Sequence, residues 1–439
     1  MSDEFDQILI SASQPGADDR LLRLCWEVRR EAAFINDAYK RNQLRRICHE
    51  VWDGRDNAVV KYTEMLDGVK LTPAQFRVTK EDLEKAHREV DKKLLASLRQ
   101  AIENVRKYQS EIFIGNKNTH PGIRYTPIKR VGICVPGASA PLPSTVIMTA
   151  APAQIAGVKE IAVVSPPRCG GSIHPTILAV CYELGIDEVY RIGGAQAVAA
   201  LAFGTQTIRR VDKIVGPGNQ WVQSAKLELF GHVGIDSIAG PSEVLIIAND
   251  KANPAWVAAD MLSQVEHAPG SAVLVTDSQV LGEKTLGELK KQVTQLGRAK
   301  ETIECLKEYG GIVVFKDMAQ AIRFANDFAA EHLEIQCGKE SKEIAEKIEN
   351  AGAIFIGEYS PVAVGDYWAG PSHTLPTGMT ARFFSALSAN DFIKSISIIE
   401  YSKEQLAESA EDIIRLAEAE GLDAHAKSIW LRLGLRQDE

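Results

Sequence analysis

From Arg130 onwards, short unbroken apolar runs alternate with segments of helical length. Val131-Gly132-Ile133-Cys134-Val135, Glu160 to Ser165 and Glu188 to Ile192 read as strands, and Lys213 to Gly216 closes the run. Helices are predicted between them from Ser144 to Gly157, from Pro175 to Leu184 and from Ala195 to Phe203. Strands that lack polar alternation are buried on both faces, as in parallel sheets. A second run repeats the order. Strand Glu243–Ala248 leads through a Pro-opened helix to strand Ala272–Thr276, with further strands expected at Ile312–Phe315, Leu333–Gln336 and Ala353–Ile356. The two runs read as related α/β modules that arose by duplication.

On either side of these runs the texture is helical. Residues 18 to 115 are predicted mostly helical, with apolar stripes at Leu21, Leu22, Cys25, Trp26 and Val28 and at Leu94, Leu98, Ile102 and Val105. Their other positions carry Arg, Lys and Glu, the usual solvated face. Beyond Gly378 the chain turns polar, with helices expected from Lys403 to Glu420 and from Ala424 to Leu433.

At 439 residues, two or three domains are expected. The 45% hydrophobic and 25% charged content is that of an ordinary globular protein. A net charge of −8 argues against a nucleic-acid partner, which needs a clustered basic face. No apolar run is long enough to span a membrane, and the acidic start from Met1 to Asp6 lacks the basic region of a signal peptide. Seven cysteines, odd in number and never spaced C-x-x-C, argue against a disulfide scaffold or a zinc finger. A reducing, cytoplasmic location is expected.

The candidate chemistry starts at a helix opened by Asn253-Pro254 and stopped by Pro269-Gly270. Gln264 and His267 lie three apart on it and leave from one face. Two neutral ligands hold a divalent cation poorly, so other segments would have to supply more. Among nine histidines, His49, His87, His120, His174 and His232 have ordinary polar neighbours. Glu331-His332 places a carboxylate beside an imidazole, either a pair of proton carriers or a helix-end histidine favoured by the dipole. Asp366 and His373 lie on a Gly/Pro-rich loop, and Glu420 and His425 flank a turn. Gln264, His267, Asp366 and His425 together would form a mixed nitrogen and oxygen shell suited to zinc. Whether they converge cannot be read from spacing. The dinucleotide fingerprint fails, because Gly216-Pro217-Gly218-Asn219-Gln220-Trp221 lacks the third glycine and the acidic residue beyond the second strand.

Several blocks in order resemble the histidinol dehydrogenase family over nearly the whole chain. They are Gly216-Pro217-Gly218-Asn219, Ile235 to Glu243, Ser263 to His267, Glu331-His332-Leu333-Glu334 and Gly365 to Thr377. The resemblance implies a zinc enzyme that oxidises L-histidinol to L-histidine with two NAD⁺, in histidine biosynthesis. It implies a homodimer with shared active sites, one Zn²⁺ per subunit, and two incomplete Rossmann-like parallel-sheet domains with helical N- and C-terminal pieces. The expected division is an N-terminal helical segment, 1–29; a first α/β domain, 30–133 and 243–377, with most of the zinc and catalytic site; a second, 134–242, with most of the NAD site; and a C-terminal segment, 378–439, that completes the site, expected to be the partner's.

Carried over by position, the resemblance puts zinc ligands at Gln264, His267, Asp366 and His425 and the catalytic pair at Glu331 and His332. Substrate contacts fall on Ser242, His332, His373 and Glu420 together with the metal ligands, and NAD contacts on Cys134, Gln196 and Asn219. Cys134 departs from the family's usual Tyr, Ala330 from its Pro and Ser372 from its Asn. In this reading His332 is the base and Glu331 activates water. A sister enzyme acting on another small alcohol, such as a sulfonated propanediol, is the alternative. Glu420, His373 and Ser242 favour an amino alcohol over an anion, which would want Arg or Lys there. A metal-stabilised binding module is a third reading, and it would leave Glu331-His332 without a purpose.

Overall fold

A computed structural model describes residues 6–27, 35–115, 117, 120–137, 141–266 and 269–434. The chain divides into two compact units, one of residues 1–114 and 127–393, the other of residues 115–126 and 394–439.

In the first unit the sequence opens with a three-residue strand, Leu9–Ser11 (β1). Helices Ala38–Gly54, Asp56–Asp67, Lys80–Glu89 and Lys92–Ile112 follow. Asp37, Thr79 and Asp91 cap three of them by accepting first-turn N–H groups. Leu98, Ile102 and Val105 are buried, but Leu94, in the first turn, is 42% exposed, as are Leu22 and Trp26 by half or more. The helical expectation for 18 to 115 therefore holds, while the apolar stripes are narrower than their composition suggested.

The strands between Ile123–Pro127 (β2) and the last strand of the chain belong to two parallel sheets. The first contains Arg130–Cys134 (β3), Glu160–Val164 (β4), Glu188–Tyr190 (β5), Lys213–Val215 (β6) and Gly234–Ile235 (β7), in the order β5-β4-β3-β6-β7. The second contains Glu243–Ala248 (β8), Ser271–Thr276 (β9), Gly310–Val314 (β10), His332–Gln336 (β11) and Ala353–Ile356 (β12). Its order is β1-β10-β9-β8-β11-β12. Counted from β3 and from β8, both sheets run 3-2-1-4-5, so the repeat seen in the apolar pattern extends to strand order. Every residue of β3, β8 and β9 is buried, which is why none shows polar alternation.

Among the helices between strands, Pro143–Ile155 (α1), Gln220–Leu229 (α2), Pro254–Val265 (α3) and the six-residue Val362–Tyr367 (α4) position the site. Asn219 and Asn253 cap α2 and α3 through their side chains. The second unit holds most of β2 and of Ile393–Ser397 (β13), paired as a two-stranded sheet, and a hairpin of Lys403–Ala419 (α5) and Asp423–Leu433 (α6) turned at Gly421. No described helix is long and apolar enough to cross a membrane.

Candidate active site

In the first unit a cleft of about 470 Å³ opens where the carboxyl ends of β3, β4 and β6 face the amino ends of β8 and β11. Its wall includes Cys134, Asn219, Ser242, Glu331, His332, Asp366 and His373. Seven positions taken from distant motifs thus meet in one place. Ligands gather at carboxyl ends of parallel strands because the connecting loops there are free to vary.

The backbone N–H and C=O of one residue, Glu243, hold the acid–imidazole pair Glu331-His332. The Glu243 N–H donates to Glu331 Oε2 at 2.8 Å, and the Glu243 carbonyl lies 2.9 Å from His332 Nδ1. A carbonyl only accepts, so Nδ1 carries a proton and Nε2 is the basic nitrogen of the neutral ring. Nε2 is buried without a hydrogen-bond partner among the described residues, 3.7 Å from Asp366 Oδ1. His332 Nδ1 and Glu331 Oε2 are 3.4 Å apart. Burial pushes the Glu331 acid up to about 8, against the pull of His332. Burial would lower the His332 imidazolium, but the carboxylates of Glu331 and Asp366 outweigh it and lift the ring to about 9. The pair holds protons tightly, so a cation engaging Asp366 would weaken that hold and free Nε2 nearer neutrality. His373 lies 3.1 Å from Ser144 Oγ through Nε2, and burial lowers its pKa. Ser372 is buried and donates to the Met148 carbonyl at 3.0 Å, which ties down the loop.

The donors offered to a metal are oxygen-rich in this unit. Gln264 is 4% exposed on α3, and Asp366 stands on α4, a short helix where the Gly/Pro content had suggested a loop. Val362 of α4 shares an apolar cluster with Val257, Ala258, Met261, Leu262 and Val265 of α3. An amide and a carboxylate on packed elements fit a borderline cation once imidazoles join them. His267 lies outside the described residues. Among those described, no group of three His, Cys, Asp or Glu is close enough to hold a metal. Glu420 caps the end of α5 and His425 sits in the first turn of α6, both exposed in the second unit.

For a dinucleotide, the cleft offers backbone at close range. Gly216 has φ 107°, and a side chain there would collide with the Cys134 carbonyl oxygen. At Gly193 an added Cβ would lie 2.8 Å from Pro166 Cβ. Asn219 caps α2 with Oδ1, at 3.1 and 3.2 Å from the Trp221 and Val222 nitrogens, leaving its NH₂ to donate. Gln196 is 1% exposed, and neither amide atom has a partner among the described residues. Gln196 is not among the residues that line the cleft, which its neighbours Gly193, Gly194 and Ala197 reach. Cys134 is buried, and its thiol is pushed up to about 12 by burial, so it lines the cleft as a small apolar wall.

Sequence reading passed over the support beneath this wall. Lys226, fully buried on α2, is ion-paired with Asp236 and donates to the carbonyls of Gly216 at 3.1 Å and Ser237 at 3.0 Å. Asp236 Oδ2 accepts from the Gly216 N–H at 2.7 Å. Asp236 stood in a quoted motif, but nothing in the pattern of α2 marks a lysine turned inward.

Comparison with known proteins places this geometry. Residues 30–433 match the histidinol dehydrogenase family. The histidinol dehydrogenase of Rhodopirellula baltica is 48% identical over 392 residues, 88% of this chain and 85% of that protein. That of Bacillus subtilis is 46% identical over 400 residues, covering 90% and 93%. A crystal structure of histidinol dehydrogenase from Elizabethkingia anophelis superposes with a TM-score of 0.87 at 35% identity, covering 97% of this chain and 98% of that one. The match spans both sheets and the residues of the cleft, so this chain belongs to the histidinol dehydrogenase family.

Proposed function

We propose that the protein is a cytoplasmic, zinc-dependent enzyme that oxidises L-histidinol to L-histidine through the aldehyde, using two NAD⁺. The observation that carries this reading is the Glu243 backbone, whose N–H donates to one member of the acid–imidazole pair and whose C=O accepts from the other in the cleft wall. When bound, NAD⁺ accepts the hydride at each stage and zinc orients the substrate's imidazole and amine.

The chain's own groups handle the protons. Nε2 of His332 takes the alcohol proton as the carbonyl forms, and takes one again from the hydrated aldehyde. Glu331, whose affinity for a proton is raised by burial, draws one from the water that attacks the aldehyde. Ser242 and His373 line the substrate's path. Glu420 would hold the ammonium group, and Gln264, His267, Asp366 and His425 would hold the metal. Cys134, Gln196 and Asn219 would contact the nucleotide. Residues 30–133 and 243–377 would supply most of the zinc and catalytic residues, 134–242 most of the NAD site, and the 378–439 segment of a partner subunit the remainder. The test is NADH formation from L-histidinol against a sulfonated propanediol, with metal analysis of the purified protein. Turnover of L-histidinol by zinc-loaded protein is expected; preference for the sulfonated alcohol would overturn the substrate assignment.

A further inference from the structure

Behind the cleft lies a carboxyl pair that the proposed reaction does not use. Asp260 on α3 and Glu334 on β11 are hydrogen-bonded to each other. Gln336 Nε2 donates to both, at 2.7 Å to Asp260 Oδ2 and 3.1 Å to Glu334 Oε2. Glu334 Oε1 accepts from the N–H of Val362, the first residue of α4, at 2.9 Å. Glu334 is 1% exposed and Gln336 2%.

Two acids in contact, Glu334 buried and Asp260 half-buried, cannot readily both be ionised. Burial, then the charge of Asp260, pushes Glu334 up to about 8, and burial raises Asp260 as well. One proton therefore stays within the pair at neutral pH. Burying such a pair costs stability that apolar side chains of the same size would not. What the arrangement supplies is geometry.

Each element it joins carries a residue of the proposed site. Gln264 lies one turn beyond Asp260 on α3, Asp366 four residues beyond Val362 on α4, and His332 two residues before Glu334 on β11. At six residues, α4 is too short to hold its place by helical hydrogen bonds alone. We propose that Asp260, Glu334 and Gln336 are positioning residues, a brace that fixes α3 and α4 against β11 and so sets the separation of Gln264 and Asp366 for one cation. This rests on the zinc reading above. Groups that orient metal ligands typically change metal affinity when removed.

The test is the zinc dissociation constant, read by competition with a chromogenic chelator, beside the melting temperature of the metal-free protein. Asp260→Ala relieves the crowding of acids, so the metal-free protein should melt no lower than the parent, while zinc binding weakens about ten- to a hundredfold. Asp260→Asn keeps an acceptor for Gln336 and donates an amide hydrogen to Glu334 in place of the shared proton, so its zinc affinity should stay within about threefold of the parent. Parent-like affinity in Asp260→Ala overturns the brace, as does Asp260→Asn binding zinc as weakly as Asp260→Ala. Should Asp260→Ala not fold, Gln336→Leu removes both donated bonds, with about tenfold weaker binding expected and unchanged binding refuting the idea. A parent protein that takes up no zinc overturns the zinc reading and the brace with it, so the two failures are told apart.

Discussion

At the scale of the residue, the tautomer of His332 settles what it can do. With Nδ1 committed to the Glu243 carbonyl, the ring can accept a proton only at Nε2, the nitrogen that faces Asp366 Oδ1 at 3.7 Å. Removing that base should cut kcat on the order of 100- to 10,000-fold in His332→Ala, with zinc content unchanged. Stopped-flow kinetics with metal analysis checks both, and near-normal turnover would refute the role. Glu331 is separable from it. In Glu331→Gln the side-chain oxygen still accepts from the Glu243 N–H, but no carboxylate remains to activate water. With the aldehyde trapped by semicarbazide, the variant should yield about one NADH per histidinol where the parent yields about two. Two equivalents from both proteins would show that Glu331 plays no part in the second stage.

At the scale of the element, a cluster at the amino ends of three strands holds the first sheet in register. Arg130 of β3 reaches Glu160 of β4 at 3.2 Å and Glu188 of β5 at 2.6 Å, with Arg209 adding a bond to Glu188 at 2.9 Å. Burial would raise the Glu188 acid, but Arg130 and Arg209 outweigh it and lower it from 4.5 to about 2. A pKa depressed in the fold stabilises above the unfolded value and loses that effect as pH falls through the folded one. Glu188→Gln should therefore cost roughly 3 kcal/mol near pH 7. The gap between parent and variant in urea melts should begin to narrow below pH 4.5 and close near pH 2. An equal gap across that window would refute the assignment. No pattern in the sequence announced this cluster, because it joins strands far apart in the chain. What periodicity conveys is local. The uninterrupted runs at β3, β4, β8 and β9 were legible, whereas β1 and β7, three and two residues long, are too short to show any period. α4 was read as a loop because its N-terminal anchor comes from Glu334, 28 residues away. Glu331, His332 and Asp366 were recognisable as motif residues, yet the Glu243 backbone that orients the pair and the buried Lys226 beneath the cleft are products of tertiary packing.

At the scale of the whole molecule, the second unit exposes several large apolar side chains among the described residues. Ile399 is 85% exposed, Leu431 70%, Leu416 67% and Tyr401 61%. These side chains are candidates for the surface that the proposed homodimer would cover. If His425 completes the site of a neighbouring subunit, two dead variants should rescue each other. His332→Ala fails through its own cleft, and His425→Ala through the cleft of its partner. In a mixed dimer, one cleft combines both lesions, while the other pairs an intact His332 with an intact His425. One cleft in two is then intact, so purified mixed dimers should regain about half the parent's turnover per active-site equivalent, and an unfractionated equal co-expression about a quarter. Were each subunit to supply its own His425, every cleft in every dimer would carry one lesion and the mixture would stay inactive. Counting NADH formed by tandem-tagged, purified mixed dimers distinguishes the two arrangements directly.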